Sequence, residues 1–107
     1  MLTPFDAALP IVKTLVHEAL VTGYNVSVFD SEEWSTRYSY NKSEIIQDIF
    51  GVEEALLSFH THDRKEIGQV FLLLDNGEDV IVDYTDDNDG PMNTLMNYVI
   101  QLTRPDN

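Results

Sequence analysis

The chain has 107 residues, 43% of them hydrophobic, and is predicted to fold as a single domain over residues 1–107. Its 19 Asp and Glu residues against six Lys and Arg residues give a formal net charge of −13 at pH 7. Nucleic-acid phosphates and anionic membranes are bound through clustered positive charge, so direct binding to either is excluded as the expected function. The chain contains no cysteine, which excludes disulfides, thiol catalysis and cysteine zinc sites.

Targeting signals are not apparent in the sequence. No apolar run reaches the roughly 18 residues of a membrane span. Residues 1–10 include no Lys or Arg, whereas a secretory signal begins with a basic region. We therefore expect a soluble, intracellular protein that contacts no membrane.

The first predicted helix begins at Thr3-Pro4, an N-cap residue followed by a proline in the first turn. Apolar residues recur at helical spacing over residues 11–20, and Gly23 is a typical C-terminal cap. Pro10 lies inside this segment, so the helix is expected either to start near it or to bend there.

The middle of the chain alternates between strand and helix signals. Residues 24–29 and 34–40 are predicted strands on either side of a turn at Asp30-Ser31. Asn41, with Glu44 three residues later, resembles a capping box and predicts a short helix that ends at Gly51.

Two more apolar strands are predicted over residues 55–61 and 67–74, another follows at 79–85, and Gly90-Pro91 opens a final helix. The expected order is α-β-β-α-β-β-β-α. This order is typical of an α+β fold with about five strands, mainly antiparallel, and three helices.

The strongest local signal is Asn76-Gly77 between two apolar runs, which is typical of a two-residue type I′ hairpin turn. That turn would place Leu73 opposite Val80 and Phe71 opposite Val82. Both faces of the hairpin would then be apolar, so we expect it to lie in the centre of the sheet and to be covered on both sides. Because three helices do not readily supply both covers, a homodimer is also expected.

A run of seven carboxylates without any basic residue follows the turn. Its members are Asp75, Glu78, Asp79, Asp83, Asp86, Asp87 and Asp89. The last three precede a predicted helix, where negative charge is stabilised by the helix dipole. Helix capping does not explain Glu78, Asp79 or Asp83, and self-repulsion at this net charge lowers stability. A function that uses the charge is therefore a second interpretation, beside simple solubility.

Trp34 is the only tryptophan, and it follows Glu32 and Glu33 directly. Packing in the core is the ordinary role of such a residue. An exposed aromatic side chain beside carboxylates would instead be a suitable anchor in a protein interface.

No catalytic or metal site is expected. Asp79 and Asp83 would lie roughly 13 Å apart on a strand face, further than the carboxylate pair of a glycosidase. The acidic run around Gly90 does not match the spacing of a calcium loop. His60 and His62 have the i, i+2 spacing of strand ligands, but no third ligand is apparent, and a solvated strand end is the simpler interpretation. We therefore predict a protein that is not an enzyme and uses no cofactor or metal.

Two segments resemble small acidic proteins of phages and prophages. One is residues 23–34, Gly-Tyr-Asn-Val-Ser-Val-Phe-Asp-Ser-Glu-Glu-Trp, and the other runs from Ile67-Gly68 to Asp83-Tyr84-Thr85, so that the resemblance spans about residues 23–85. It implies a phage or prophage accessory protein acting in a bacterial host. Small acidic phage proteins include nucleic-acid mimics that block restriction or CRISPR machinery.

Two functions are carried forward. The first is a nucleic-acid mimic that inhibits a basic, nucleic-acid-binding host defence protein, of anti-restriction or anti-CRISPR type, since rows of carboxylates can occupy a basic groove. The second is a small dimeric interaction module that is acidic only for solubility and binds through an apolar sheet face or Trp34. The predicted partner-binding residues are Glu32, Glu33, Trp34, Asp75, Glu78, Asp79, Asp83, Asp86, Asp87 and Asp89.

Overall fold

Three helices and five strands follow one another in the predicted order in the computed structural model, which describes residues 3–103. The helices are α1 (Pro4–Thr22), α2 (Lys42–Ile49) and α3 (Pro91–Thr103). The strands are β1 (Asn25–Phe29), β2 (Trp34–Ser39), β3 (Glu54–His60), β4 (Glu66–Leu73) and β5 (Ile81–Tyr84), with a 3₁₀ turn at Gly77–Asp79. The predicted α+β fold is confirmed.

Local signals determine both ends of α1. The Thr3 hydroxyl accepts a hydrogen bond from the Asp6 backbone N–H at 3.1 Å, and the Asp6 carboxylate accepts one from the Thr3 N–H at 3.3 Å. This reciprocal capping box satisfies two backbone donors at the helix start. The helix continues through Pro10, so it does not begin there, and it ends at Gly23, whose left-handed backbone (φ 109°) suits glycine.

The five strands form one antiparallel sheet in the order β2-β1-β3-β4-β5. Val28, Leu57, Val70 and Tyr84 are successive cross-strand neighbours on one face, which we call the helical face. The opposite face, which we call the open face, carries Ser27, Ser58 and Gln69 as successive neighbours. Alternation along each strand thus separates apolar from polar residues.

The core lies between the helical face and the three helices. Apolar residues of all three helices and of β1, β3 and β4 form a single buried cluster. Helix α3 packs closely on β4. A Cβ atom added at Gly68 would lie 2.1 Å from Cγ of Met92 on α3. Glycine at this position therefore allows α3 to pack on β4.

The predicted two-residue hairpin turn is wrong. Residues 74–80 connect β4 to β5, and only Gly77 has the positive φ (64°), while Asn76 has a φ of −99°. Leu74 and Val80 are both fully buried in the core. Because a tight turn would leave Val80 on the face opposite Leu74, burial of both side chains requires the longer connection, so tertiary packing overrides the local turn preference.

The predicted register is confirmed only next to the turn, where the Leu73 N–H donates to the Val80 carbonyl at 2.9 Å and Leu72 pairs with Ile81. Beyond that point the predicted register is wrong, and so is the predicted covering of the hairpin. Phe71 pairs with Asp83 rather than Val82, after a register shift between Phe71 and Leu72. Phe71 and Val82 remain 37% and 42% exposed. Strand β5 lies at the edge of the sheet, so the hairpin is not central. The helices of the described residues pack on the helical face, and the cavities of the open face are lined only by strand and loop residues.

Candidate functional site

Carboxylates border one end of the sheet, which we call the acidic end. The register brings the β1–β2 turn, the start of β3 and the β4–β5 connection to this end, because Phe29 pairs with Leu56 and Glu54 pairs with Leu73. The carboxylates of the acidic end are Asp30, Glu32, Glu33, Glu53, Glu54, Asp75, Glu78 and Asp79. Residues 30–34, 50–55 and 74–80, which form this end, contain no Lys or Arg.

Asp30 organises the β1–β2 turn at the acidic end. Its carboxylate accepts hydrogen bonds from the backbone N–H groups of Glu33 at 2.9 Å and Glu32 at 3.0 Å. These bonds favour the ionised form and hold the pKa of Asp30 below its ordinary value. The turn therefore keeps a negative charge of its own while Glu32 and Glu33 remain exposed to solvent.

An apolar row crosses the open face next to the acidic end. Trp34, Phe29, Leu56 and Phe71 are successive cross-strand neighbours on β2, β1, β3 and β4, and we call them the aromatic row. The Phe29 and Trp34 rings lie 5.3 Å apart at an angle of 59°. A cavity of about 240 Å³ opens among Phe29, Leu56 and Phe71. This row is a ready contact surface for an apolar side chain.

The predicted partner-binding residues fall into three groups. The acidic end includes Glu32, Glu33, Asp75, Glu78 and Asp79, with Trp34 beside it in the aromatic row. Asp83 pairs with Phe71 and so stands at the β5 end of that row. Asp83 lies in β5, whereas Asp79 lies in the 3₁₀ turn before it. The two aspartates therefore do not share one face of a strand, as the sequence predicted.

The third group lies at the opposite end of the sheet, before α3. The Asp87 carboxylate accepts hydrogen bonds from the N–H groups of Met92 at 2.9 Å and Asn93 at 2.8 Å. Asp86 accepts from the Asn88 N–H and the Asn93 side-chain amide, which lower the pKa of Asp86. These two aspartates therefore cap and organise α3, as the capping interpretation predicts. Asp89 is exposed and accepts no hydrogen bond from the described residues.

A polar cavity of about 370 Å³ occupies the other end of the open face. We call it the polar pocket, and its lining residues are Ser27, Trp34, Arg37, Tyr38, Ser58, His60, Arg64 and Glu66. Ser58 is 1% exposed and donates a short hydrogen bond to the Glu66 carboxylate, and its oxygen lies 3.1 Å from Nε2 of His60. Since Ser58 donates to Glu66, Nε2 of His60 carries the proton and donates to Ser58.

A β-bulge shapes the wall of the polar pocket. The register of β1 and β2 shifts between Val26 and Val28, so two residues, Arg37 and Tyr38, stand opposite Ser27. The Tyr38 backbone N–H donates to the Ser27 hydroxyl at 2.9 Å. The bulge turns Arg37 and Tyr38 together toward the pocket, which regular alternation would not allow.

His60 is buried, so its interpretation as a solvated strand end is wrong. It is 6% exposed, because the Tyr38 ring packs on it with centroids 4.7 Å apart. Burial lowers the pKa of His60, and the nearby Glu66 carboxylate opposes that effect. Nδ1 of His60 is buried without a hydrogen-bond partner. His62 lies instead on the exposed loop after β3, near the Tyr40 hydroxyl.

The polar pocket does not have the geometry of a nucleophilic site. The Ser58 hydroxyl donates to the Glu66 carboxylate rather than to His60, so His60 does not act as the base that would activate it. Among residues 3–103, no three potential ligands from His, Asp and Glu come together to hold a metal ion. In the same part of the chain, no helix has both the length and the hydropathy that crossing a membrane requires.

Sequence patterns indicate only part of this surface. Phe29 and Phe71 of the aromatic row directly follow buried strand residues, so the alternation of strand side chains places them on the opposite face. This alternation is the pattern in the sequence that indicates an exposed apolar face. The members of the polar pocket come from β1, β2, β3, the β3–β4 loop and the start of β4. Their meeting depends on the strand order and the bulge, for which the sequence carries no local signal.

Comparison with protein-family models, with curated proteins and with solved structures gives no significant match for this chain.

Proposed function

We propose that the protein is a non-enzymatic binding protein that occupies the basic nucleic-acid-binding surface of a bacterial host protein. The acidic end carries this proposal, because eight carboxylates border one end of the sheet and the segments that supply them contain no Lys or Arg. Such a surface attracts Lys and Arg side chains of a partner and accelerates their encounter. It would repel nucleic acid itself.

The shape of the acidic end is compatible with occupying a basic groove. Its carboxylates follow the ends of five strands, which span about 19 Å at the usual strand separation. A surface of this width can meet several basic side chains at once. Acidic side chains spread over this width would take the place of the phosphates that the partner otherwise binds.

The aromatic row would supply the apolar centre of the same interface. The Trp34 and Phe29 rings pack against each other at a tilt beside Glu32 and Glu33, and Phe71 is 37% exposed at the other end of the row. Aromatic side chains commonly anchor interfaces in which charged residues form the rim. Charge would then select a basic partner, while the aromatic row would slow its dissociation.

The context of this function follows from the resemblance to small acidic phage and prophage proteins. A host defence protein of the restriction or CRISPR type is the partner class that such proteins inhibit, and the bacterial cytoplasm is where it acts. The net charge of −13 supports this assignment, since a partner that binds nucleic acid carries the opposite charge on its binding surface.

The decisive experiment is capture of a bacterial partner followed by competition. The immobilised protein should retain a nucleic-acid-binding protein from host lysate, and added duplex DNA should release it. Asp79→Lys should weaken the capture, whereas the matched change Asp89→Lys, at the opposite end of the sheet, should not. Both aspartates are exposed, and neither carboxylate accepts a hydrogen bond from the described residues. A captured protein that still binds its DNA in the complex would contradict the proposal.

The aromatic row also favours a second function, a dimeric interaction module that is acidic only for solubility. A second copy seated on the open face would cover Phe71 and Trp34, which no helix of the described residues covers. Light scattering at high micromolar concentration should then show twice the monomer mass, and Phe71→Ser should return the monomer. A monomer at every concentration would remove this second function.

A further inference from the structure

We propose that the polar pocket is a binding site for a small phosphate monoester. This proposal does not rest on the partner-binding function, because Trp34 is the one residue that the polar pocket shares with the predicted partner-binding residues. The pocket volume of about 370 Å³ lies within the range of small-molecule sites. Of its eight lining residues, only Glu66 is an acid.

Positive charge is concentrated at this pocket although the chain as a whole is strongly acidic. Arg37 and Arg64 are the two arginines of residues 3–103, and both line the cavity. Glu66, the one acid among the lining residues, accepts hydrogen bonds from the Ser58 hydroxyl and the Gln69 amide rather than from either arginine. Two guanidinium groups are therefore available for an anion.

The orientation of Arg64 leaves its hydrogen-bond donors free. Its guanidinium carbon lies over the Tyr38 ring, 4.4 Å from the ring centre, so the two groups form a cation–π contact. Such a contact is made by the charge of the group and does not require hydrogen bonds from its five N–H donors. The contact thus holds the group in place without using its donors.

Ser27 adds a buried donor on the floor of the pocket. It is 3% exposed, and its oxygen accepts the Tyr38 N–H at 2.9 Å. Its own hydroxyl proton has no acceptor among the described residues. A buried hydroxyl with an unused proton is costly unless a ligand or water oxygen receives it.

A phosphate group fits this donor set best. The guanidinium fork matches phosphate oxygens in pairs, and a monoester has three terminal oxygens to share between Arg37, Arg64 and Ser27. Trp34 lines the same cavity and offers a flat apolar surface to the organic part of the ligand. A carboxylate offers these donors fewer acceptor oxygens and less negative charge than a phosphate monoester does.

The test is a titration of the intact protein followed by amide NMR, with AMP, inorganic phosphate, acetate and adenosine as separate probes. AMP and phosphate should shift the resonances of Ser27, Tyr38 and Arg64, and AMP should also shift that of Trp34. The variant Arg37→Gln/Arg64→Gln should weaken AMP binding by about tenfold or more, as expected for lost charged hydrogen bonds. Lys13→Gln/Lys42→Gln is the matched control, since it removes two positive charges from α1 and α2, and it should leave AMP binding unchanged.

Three outcomes would overturn the proposal. The first is an absence of shifts with AMP and phosphate at millimolar concentration. The second is equal weakening by the arginine variant and the lysine control, which would indicate only general charge attraction. The third is binding of adenosine or acetate as tight as that of AMP, which would show that the phosphate group is not what the pocket recognises. Amide spectra of both variants without ligand would establish that they remain folded.

Discussion

The guanidinium of Arg64 stacks on the ring of Tyr38 at 4.4 Å, and both residues have a left-handed backbone, with φ of 66° and 49°. Left-handed conformations are unfavourable for residues with a Cβ atom. Two such residues in direct contact show that the surrounding hydrogen bonds and packing hold the wall of the polar pocket in a strained shape. The Tyr38 N–H bond to Ser27 and the packing of Tyr38 on His60 supply part of that restraint.

This strain gives a prediction for Arg64. Arg64→Ala loses the stacking and keeps the strained backbone, whereas Arg64→Gly loses the stacking and relieves the strain. The glycine variant should therefore be the more stable of the two by up to about 1 kcal/mol. Urea unfolding of both variants measures the difference. In a loop position without strain, the alanine variant would be the more stable of the two. A more stable Arg64→Ala would therefore show that the backbone at this position is not strained.

Gly68 carries a prediction about the contact between β4 and α3. A Cβ atom there would lie 2.1 Å from Cγ and 2.8 Å from Sδ of Met92, which is fully buried. Gly68→Ala should destabilise the protein by about 1–3 kcal/mol, because the buried side chain has to move. Combining it with Met92→Ala should cost less than the sum of the two single changes.

Gly51→Ala is the control for this prediction. A Cβ atom at Gly51 would lie no closer than 3.5 Å to the backbone oxygens near it, which is an ordinary contact. Thermal unfolding should therefore show a much smaller loss for Gly51→Ala than for Gly68→Ala. Equal losses at the two positions would indicate that Met92 does not restrict Gly68.

The pH dependence of stability should report the burial of His60. Its pKa is lowered from the ordinary value of 6.5 by burial, an effect partly opposed by Glu66. Below pH 6.5 the unfolded chain binds a proton at His60 that the folded chain does not yet bind, so stability falls as the pH decreases from 6.5 toward the folded pKa. Above pH 6.5 both states are neutral at this position, and it contributes no slope.

Comparison with His60→Asn isolates this contribution from the other titrating groups. Urea unfolding at pH 7.5 and pH 5.5 should show a larger loss of stability for the native chain than for the variant. Glu66, Arg37 and Arg64 are the charged groups that line the pocket with His60, and all three remain in the variant. Identical losses in the two proteins would mean that His60 titrates normally and is accessible to solvent.

Short-range sequence signals were sufficient to predict the helices and the order of helices and strands along the chain. Thr3 and Gly23 bound α1 through hydrogen bonds within a few residues, so their roles are readable from the sequence. Asn76-Gly77 shows the limit of such signals. Its preferred turn loses to the burial of Leu74 and Val80, which depends on where the helices lie.

The candidate sites depend on relationships between distant segments. The carboxylates of the acidic end are adjacent because β1, β3 and β4 align their ends, and the acidic run after Asp75 is divided because β5 carries the chain to the opposite end. Ser27 and Ser58 are 31 positions apart in the chain and become neighbours only through the pairing of β1 with β3. The composition indicated a function that uses the negative charge, but it could not show that the carboxylates gather at one end of the sheet.

Reversing charge at Glu78, Asp79 and Asp83 should separate folding from binding. All three side chains are exposed, and Glu78 and Asp79 accept no hydrogen bond through their carboxylates from the described residues. Changing the three to Lys alters the net charge by six units, from −13 to −7, and relieves self-repulsion. The free energy of unfolding should stay within about 0.5 kcal/mol of the native value or rise slightly.

The same triple variant should lose the host partner, because buried pairing of a carboxylate with a partner Lys or Arg is worth about 2 kcal/mol or more per pair. Binding of the native protein should also weaken steeply between low and moderate salt, since screening acts on exposed charges. Apolar docking through the aromatic row would show little salt dependence, and Phe71→Ser would then weaken binding more than the charge changes. A folded triple variant that binds with unchanged affinity and unchanged salt dependence would show that the acidic end only keeps the protein soluble.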